Sequence, residues 1–212
     1  MTAPTPGGPG SSHAPAAPAT PEQTLSFRSP FADGTSVGVA IEIPSPHREW
    51  LRDLRERVAD AAGATEGEII PPHITLVPPV VLPTWDLSAV EAQLHTAARA
   101  VGPFTVELAG SGTFRPTTQV VFAALARGSE QCDTLQRAAR RGPLGVELRF
   151  DYHPHVTVAH DVDPEALDEA ERELSRFHAV FEAASFVLYE RGPDGVWHTI
   201  RTFDLVGAAS RG

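Results

Sequence analysis

The sequence predicts a fold made of two copies of one β-α-β-α-β unit, followed by one final strand. Two observations carry this prediction. Strand and helix signals alternate in the same order in both halves of the chain, at a nearly constant separation. In addition, the segment 72–77 (PHITLV) returns as the segment 154–159 (PHVTVA) at the matching place in the second half. Both features are typical of an internal duplication.

The first copy begins with an apolar strand and continues with an amphipathic helix. Ser45 is the expected N-cap of that helix, Pro46 its first residue and Gly63 its stop. In order, the five elements are predicted at residues 36–43, 45–63, 72–80, 86–103 and 104–114.

The second copy repeats the order and adds the final strand. Its second helix has Asp163 and Pro164 at its start, which is a strong N-terminal signal. Residues 181–192 and 196–205 are predicted to form two strands of a closing hairpin around the turn GPDG. The preceding elements are predicted at residues 120–126, 129–142, 153–160 and 163–177.

The composition limits the classes of function. A chain of 212 residues can bury one sizeable core or two small lobes, and a net charge of −10 argues against a protein that coats long nucleic acid. All 17 basic residues are arginine, which excludes a Schiff-base lysine and the lysine of a phosphate-binding P-loop. Cys132 is the single cysteine, so the chain forms no internal disulfide.

The ends of the chain lack the composition of a folded core. Residues 1–24 consist mainly of Pro, Ala, Gly, Ser and Thr, and we expect a disordered tail there. A single folded domain is expected at 25–206, with a short C-terminal tail at 207–212. No apolar run is long enough for a membrane span and no secretory signal is visible, so we expect a cytoplasmic protein without a membrane partner.

The repeated motif places a histidine and a threonine on one face of each motif strand. Side chains at positions i and i+2 share a face, so His73 lies beside Thr75 and His155 beside Thr157, while the aliphatic residues point toward the helices. Duplicated lobes commonly meet about a pseudo-twofold axis. That arrangement would bring two imidazoles and two hydroxyls together across a cleft.

Two imidazoles and two hydroxyls suit chemistry at a phosphodiester. One oxygen must lose a proton while the leaving oxygen gains one, and imidazole can serve as base or acid near neutral pH. Each hydroxyl can donate to a non-bridging phosphoryl oxygen. The alternative is a purely structural pair, inherited as scaffold without activity.

With these two motifs, the sequence resembles the two-histidine (2H) phosphoesterase superfamily, which includes LigT-like 2′-5′ RNA ligases and RNA 2′,3′-cyclic phosphodiesterases. The resemblance rests on the two His-x-Thr strands and on residues 104–125, and it extends over about residues 36–206. It implies an α+β fold of two lobes, with two antiparallel sheets facing across a central cleft and the helices outside. It also implies metal-independent and cofactor-free chemistry, with His73 and His155 as the acid–base pair and Thr75 and Thr157 as phosphate binders.

The family implies more than one activity for such a site. In hydrolysis of a 2′,3′-cyclic phosphate, one histidine would activate water and the other would protonate the departing ribose oxygen. In the reverse direction, with a 5′-hydroxyl as the nucleophile, the same groups would form a 2′-5′ linkage without ATP. A non-catalytic module that binds a nucleotide or an RNA end is a third possibility.

The chain departs from LigT-like members after the first motif. A Phe-Leu-Gly-like segment is common there, whereas this chain has Val-Pro-Pro-Val at 77–80. Pro78 and Pro79 are expected to stop the strand early and to reshape one rim of the cleft. We therefore expect a small nucleotide or an RNA-end phosphodiester as the partner, bound by a monomer.

Aromatic residues and a further histidine are candidates for additional roles at the site. Phe114 and Tyr152 stand beside the proposed cleft and could stack on a base. His153 reads as a residue that merely flanks Pro154. Together with His155 and the pair 160–161 it could suggest a metal site, but the first motif offers threonine where a second ligand would be needed, so no metal is expected.

Overall fold

The computed structural model describes residues 34–63 and 70–207. The predicted tail at 1–24, the first residues of the predicted domain and most of the predicted tail at 207–212 lie outside these ranges. Domain boundaries at both ends therefore stay predictions. Within the described ranges, no helix is long and apolar enough to cross a membrane.

The described chain forms eight strands and four α-helices, with two short 3₁₀ turns at Thr84–Asp86 and Gly142–Leu144. In chain order the elements are β1 (Gly34–Glu42), α1 (His47–Ala61), β2 (His73–Pro83), α2 (Leu87–Ala97), β3 (Phe104–Thr113), β4 (Val120–Arg127), α3 (Ser129–Ala139), β5 (His155–His160), α4 (Pro164–Leu174), β6 (His178–Ala183), β7 (Ser185–Arg191) and β8 (Trp197–Asp204).

The strands form two antiparallel sheets of four strands each. The first sheet has the order β2-β1-β7-β8 and the second has the order β5-β4-β3-β6. Each sheet thus carries one motif strand at one edge, β2 in the first and β5 in the second. The predicted α+β fold of two pseudo-twofold related lobes is confirmed.

The third strand of each repeat has changed sheets. β3 follows α2 in the first repeat but pairs with β4 and β6 in the second sheet. In return, β7 comes late in the second repeat but pairs with β1 and β8 in the first sheet. The two lobes therefore exchange strands, and neither sheet is complete without a strand from the other half of the chain.

The prediction of one continuous strand at 181–192 is wrong, because this segment forms two strands that belong to different sheets. β6 ends at Ala183 and β7 begins at Ser185, each in a different sheet. Ala183 and Phe186 are both buried in the core, although residues three apart in one continuous strand point to opposite faces. The break at Ala184 lets both side chains reach the core.

The expected early end of the first motif strand is also wrong. β2 continues through Pro78 and Pro79 to Pro83. It lies at a sheet edge and pairs only with β1, and the register shifts between Val37 and Val39, opposite the two prolines. Proline lacks a donor N–H, and edge strands with a bulge are the places where a sheet tolerates it.

The start of α1 differs from the prediction, whereas the start of α4 agrees with it. α1 begins at His47 after Pro46, and Ser45 does not cap it: the Ser45 hydroxyl donates to Glu49 Oε1 at 2.6 Å. At α4 the Asp163 carboxylate accepts a hydrogen bond from the Ala166 N–H at 2.8 Å, with Pro164 as the first helical residue.

The helices join the two lobes as well as covering them. α1 packs against β5 and α4 of the other lobe, and α3 packs against β2 and α2. One hydrophobic core extends through both lobes, with Leu51, Leu94, Leu135 and Leu167 as fully buried representatives of the four helices. Because each motif strand rests on a helix of the opposite repeat, packing of the core fixes the two motifs relative to each other.

Candidate active site

The two motif strands show the same pattern of burial. Ile74 and Val156 are both 0% exposed and contribute to the core. The histidine and threonine on either side of each are only partly buried and lie on the opposite face of the strand. The alternation expected for residues 73–75 and 155–157 is therefore present in both lobes.

Each motif histidine is anchored through the same ring nitrogen. His73 Nδ1 lies 2.7 Å from the carbonyl oxygen of Pro71, and His155 Nδ1 lies 2.7 Å from that of His153. A carbonyl oxygen can only accept, so both Nδ1 atoms carry the proton and donate. The Nε2 atom of each ring is thereby left as the nitrogen that can take up or release a proton.

Burial makes both imidazoles hard to protonate. Burial lowers the pKa of His73 to about 4, and the charges of Arg55 and His155 act in the same direction. Burial is also the main cause that lowers the pKa of His155, with His153 as a further cause. The charge of His155, in one lobe, thus opposes protonation of His73 in the other lobe.

Aromatic side chains enclose His155 on one side of the site. Phe114 and Phe122 both have ring centroids 5.0 Å from that of His155, and Phe114 meets it edge to face. His153 lies 6.2 Å from His155 and contacts Phe114 at 5.5 Å. The structure therefore places Phe114 and His153 beside His155; binding of a base by Phe114 stays a prediction.

The sequence matches a known family over most of its length. A model of the "2′-5′ RNA ligase superfamily" matches residues 43–195, which include both motifs. The chain belongs to this superfamily. The resemblance to two-histidine phosphoesterases is thereby confirmed.

Members of the superfamily from bacilli are similar in sequence. A Bacillus mycoides protein, named as a provisional phosphoesterase, is 26% identical over 148 residues, which are 65% of this chain and 80% of the relative. A Bacillus cytotoxicus protein with the same kind of name is 28% identical over 148 residues, with the same coverage.

Two solved structures share the fold at low sequence identity. Escherichia coli LigT in its apo form has a TM-score of 0.59 and 17% identity, covering 82% of this chain and 98% of LigT. TT0787 of Thermus thermophilus has a TM-score of 0.56 and 22% identity, covering 82% of this chain and 100% of that protein. At these identities the likeness concerns the fold alone.

Tyr152 connects the two motifs of this superfamily member. Its hydroxyl donates to the carbonyl oxygen of Thr75 at 2.9 Å, so a residue just before the second motif holds the strand of the first. Its ring packs against the core, and burial raises the pKa of the phenol. Base stacking by Tyr152 stays a prediction, whereas the hydrogen bond between the lobes is a contact that the sequence did not indicate.

Glu42 and Tyr189 belong to the site although the sequence reasoning did not select them. Glu42 is the register partner of His73 across β1 and β2, and the Tyr189 hydroxyl donates to Glu42 Oε1 at 2.8 Å. The Tyr189 ring lies 6.4 Å from that of His73. A carboxylate inside the apolar run VAIEI was the available signal for Glu42, but its partner comes from a strand far along the chain.

Arg115, Cys132 and Trp50 have contacts of their own away from the two motif histidines. Arg115 donates to Asp168 at 2.7 Å and to Glu171 at 2.5 Å, so its charge is neutralised on α4. Cys132 is 0% exposed, and burial raises the pKa of its thiol to about 12, as is typical of a buried structural cysteine. Trp50 is 38% exposed and stacks on Phe177 at 4.5 Å.

The described part of the chain contains no cluster of side chains that could bind a metal ion. Over residues 34–63 and 70–207, no group of three or more His, Cys, Asp and Glu side chains lies close enough together to hold a metal ion. The Nδ1 atoms of His73 and His155 are already engaged by backbone carbonyls. Chemistry without a metal stays a prediction, which chelation can test.

Proposed function

We propose that this protein is a metal-independent phosphoesterase that hydrolyses a 2′,3′-cyclic phosphate, or a related cyclic or 2′-5′ nucleotide bond, by two-histidine acid–base catalysis. The observation that carries the proposal is the matched pair of imidazoles. His73 and His155 are held in the same tautomer by the same backbone contact, on strands of two lobes, and the charge of His155 is among the causes that lower the pKa of His73.

The proposed reaction uses the two Nε2 atoms in complementary protonation states. The neutral histidine takes a proton from water as the water oxygen forms a bond to phosphorus. The protonated histidine gives its proton to the departing ribose oxygen as the P–O bond breaks, so the two rings have exchanged states at the end of the turnover. The hydroxyls of Thr75 and Thr157 donate to non-bridging oxygens and stabilise the charge in the transition state.

We assign the base to His73 and the acid to His155. With a pKa of about 4, His73 is neutral throughout the physiological range and ready to accept a proton. A bound phosphodiester is an anion, and a nearby anion favours the charged form of an imidazole. The ring that is protonated on substrate binding is then His155: burial and the charge of His153 lower its pKa, but the charge of Arg55, which acts on His73, is not among the causes.

Known members support a small substrate. Crystal structures of Escherichia coli LigT hold 3′-AMP, ATP or phosphate, and the bacillus relatives carry phosphoesterase in their names. A net charge of −10 agrees with a nucleotide or an RNA end rather than a long duplex. The cytoplasmic location and the monomeric state stay predictions.

A hydrolysis assay in the presence of a chelator tests the proposal. Wild type and the variants His73→Gln, His155→Gln and His160→Gln are incubated with adenosine 2′,3′-cyclic phosphate in EDTA, and the products are followed by ³¹P NMR. Loss of either acid–base group should lower the rate by about 10²–10⁴-fold, whereas His160, exposed at the end of β5, serves as the control. Abolition of wild-type activity by EDTA, or full activity of either His73→Gln or His155→Gln, would contradict the proposal.

The superfamily's name favours ligation as a second candidate function. The same two histidines would then exchange a proton between an RNA 5′-hydroxyl and a cyclic phosphate, without ATP. Incubation of two RNA fragments with such ends would yield a 2′-5′ joined product. If instead a cyclic phosphate is bound for hours without being consumed, the protein is a binding module.

A further inference from the structure

A cavity of about 370 Å³ lies at one end of the first sheet, where β1 and β7 separate. Their pairing ends at Ala40 and Val187, and the chain segments beyond this pair form the walls. This volume is within the range of about 300–1,000 Å³ that small-molecule sites occupy. Polar groups reach the cavity from Glu42, Ser45, Arg48 and Glu182, while Pro44 and Val187 contribute apolar surface.

The cavity adjoins the catalytic face of the sheet. Glu42 is directly opposite His73 in the antiparallel pair β1–β2, and directly opposed residues share a face. Val187 packs with Ala40 and Tyr189 on that same face. A ligand that extends from a phosphate at His73 across β1 would therefore enter this cavity.

The lining favours a neutral group that donates hydrogen bonds. Glu42 and Glu182 both belong to the lining, and the carboxylates of their side chains can only accept. Arg48 brings one positive charge to the lining against these two carboxylates, and its Nη2 atom already donates to Ser45 Oγ at 3.1 Å and lies 3.4 Å from Glu49. A second phosphate in the cavity would face the two carboxylates, whereas ribose hydroxyls and exocyclic amines would satisfy them.

Tyr189 fixes the direction of the Glu42 carboxylate, which belongs to the register partner of His73. Its hydroxyl donates to Glu42 Oε1 at 2.8 Å, and the tyrosine ring is buried. A carboxylate held in this way loses little rotamer freedom when a ligand binds, which makes it a good specificity determinant. The apolar walls can cover the faces of a base or a ribose.

We propose that this cavity binds the uncharged nucleoside part of the substrate, with Glu42 and Glu182 as the residues that select hydrogen-bond donors and reject a second phosphate. The proposal rests on the proposed function for the position of the reacting phosphate. It narrows the substrate class to a nucleotide, or to a terminal nucleotide, whose group in this cavity carries no phosphate.

Binding measurements with three probes test the assignment without turnover. Inorganic phosphate, adenosine 2′-phosphate and adenosine 2′,5′-bisphosphate are titrated calorimetrically into wild type and into Glu42→Gln, Glu182→Gln and Glu173→Gln. Glu173 is the matched control, because its carboxylate lines a different cavity beside Trp50 and Phe177. The same proteins are assayed with adenosine 2′,3′-cyclic phosphate.

In wild type we expect adenosine 2′-phosphate to bind at least tenfold more tightly than phosphate, and the bisphosphate to bind more weakly than the monophosphate. Glu42→Gln and Glu182→Gln should each weaken binding of the monophosphate by about 10-fold, because hydrogen bonds to charged acceptors are the stronger ones. In both variants, the difference in affinity between the monophosphate and the bisphosphate should be smaller than in wild type. Glu173→Gln should bind all three probes as wild type does.

Equal affinities for phosphate and adenosine 2′-phosphate in wild type would overturn the assignment, as would a bisphosphate that binds more tightly than the monophosphate. Unchanged affinities in both cavity variants would do the same. The expected binding pattern without any hydrolysis would refute the proposed function alone. Hydrolysis with unaltered binding in Glu42→Gln and Glu182→Gln would refute only the nucleoside site.

Discussion

The replacement His73→Gln should make the folded protein less sensitive to acid. A histidine with a lower pKa in the folded than in the unfolded chain binds more protons when unfolded, so its contribution is fully present above about pH 6.5 and is lost as the pH falls toward 4. With a folded pKa of about 4 and an ordinary value of 6.5, acidification from pH 7.5 to pH 5 costs about 2 kcal/mol of stability through this one ring. Glutamine retains a polar amide at this position but cannot be protonated there.

Urea unfolding at the two pH values measures this effect as a double difference. The loss of unfolding free energy between pH 7.5 and pH 5 should be about 2 kcal/mol smaller in His73→Gln than in wild type. Any pH-independent cost of the substitution cancels in this comparison. His160→Gln, which removes an exposed histidine at the end of β5, controls for the loss of a histidine as such.

Equal pH sensitivity of wild type and His73→Gln, within about 0.5 kcal/mol, would refute the reasoning, because this difference is smaller than the common error of unfolding data. It would mean that the imidazole is already solvated in the folded protein. The assignment of His73 as the base would then lose its physical support. The matched backbone contacts of the two histidines would remain.

Three further predictions concern the pair of motifs. In a pH profile, kcat/KM should rise through about pH 4 and reach its optimum below pH 6.5, because the pKa of both histidines is lowered from 6.5. An optimum above pH 7 would contradict this prediction. Tyr152→Phe should lose about 1 kcal/mol of unfolding free energy and part of kcat, since the bond to Thr75 O joins the lobes; unaltered values in both assays would contradict it. Gly112→Ala should lower the free energy of unfolding by about 1–3 kcal/mol, because a Cβ at this position overlaps the Phe122 ring. Gly102→Ala, whose Cβ would make only ordinary contacts, is the control, and equal unfolding curves of the two variants would count against the prediction.

The features that could be predicted from the sequence are those that local periodicity determines. The motif residues 73–75 and 155–157 alternate between core and cleft because successive side chains of any strand do so. Asp163 caps α4 because its carboxylate needs only the N–H of Ala166, three residues away. Such contacts are contained in a short stretch of chain, so the amino-acid types suffice to indicate them.

The exchange of strands between the lobes could not be predicted in this way. β3 and β7 have the composition of buried strands, and composition does not say which sheet buries them. The same limit applies to the prolines at 78 and 79. Proline ends a central strand but is tolerated in an edge strand with a bulge, and only the pairing shows that β2 is an edge strand.

The exchange has a consequence for the proposed active site. Because β7 crosses into the first sheet, Tyr189 of the second repeat lies against Glu42 and His73 of the first. Tyr152 of the second repeat likewise bonds to Thr75. The surroundings of the first motif thus include side chains from the second half of the chain, and the two motif strands cannot separate without breaking the bond from Tyr152 to Thr75. Duplication provides the two motif histidines, and exchange of strands builds the surroundings of one motif from both halves of the chain.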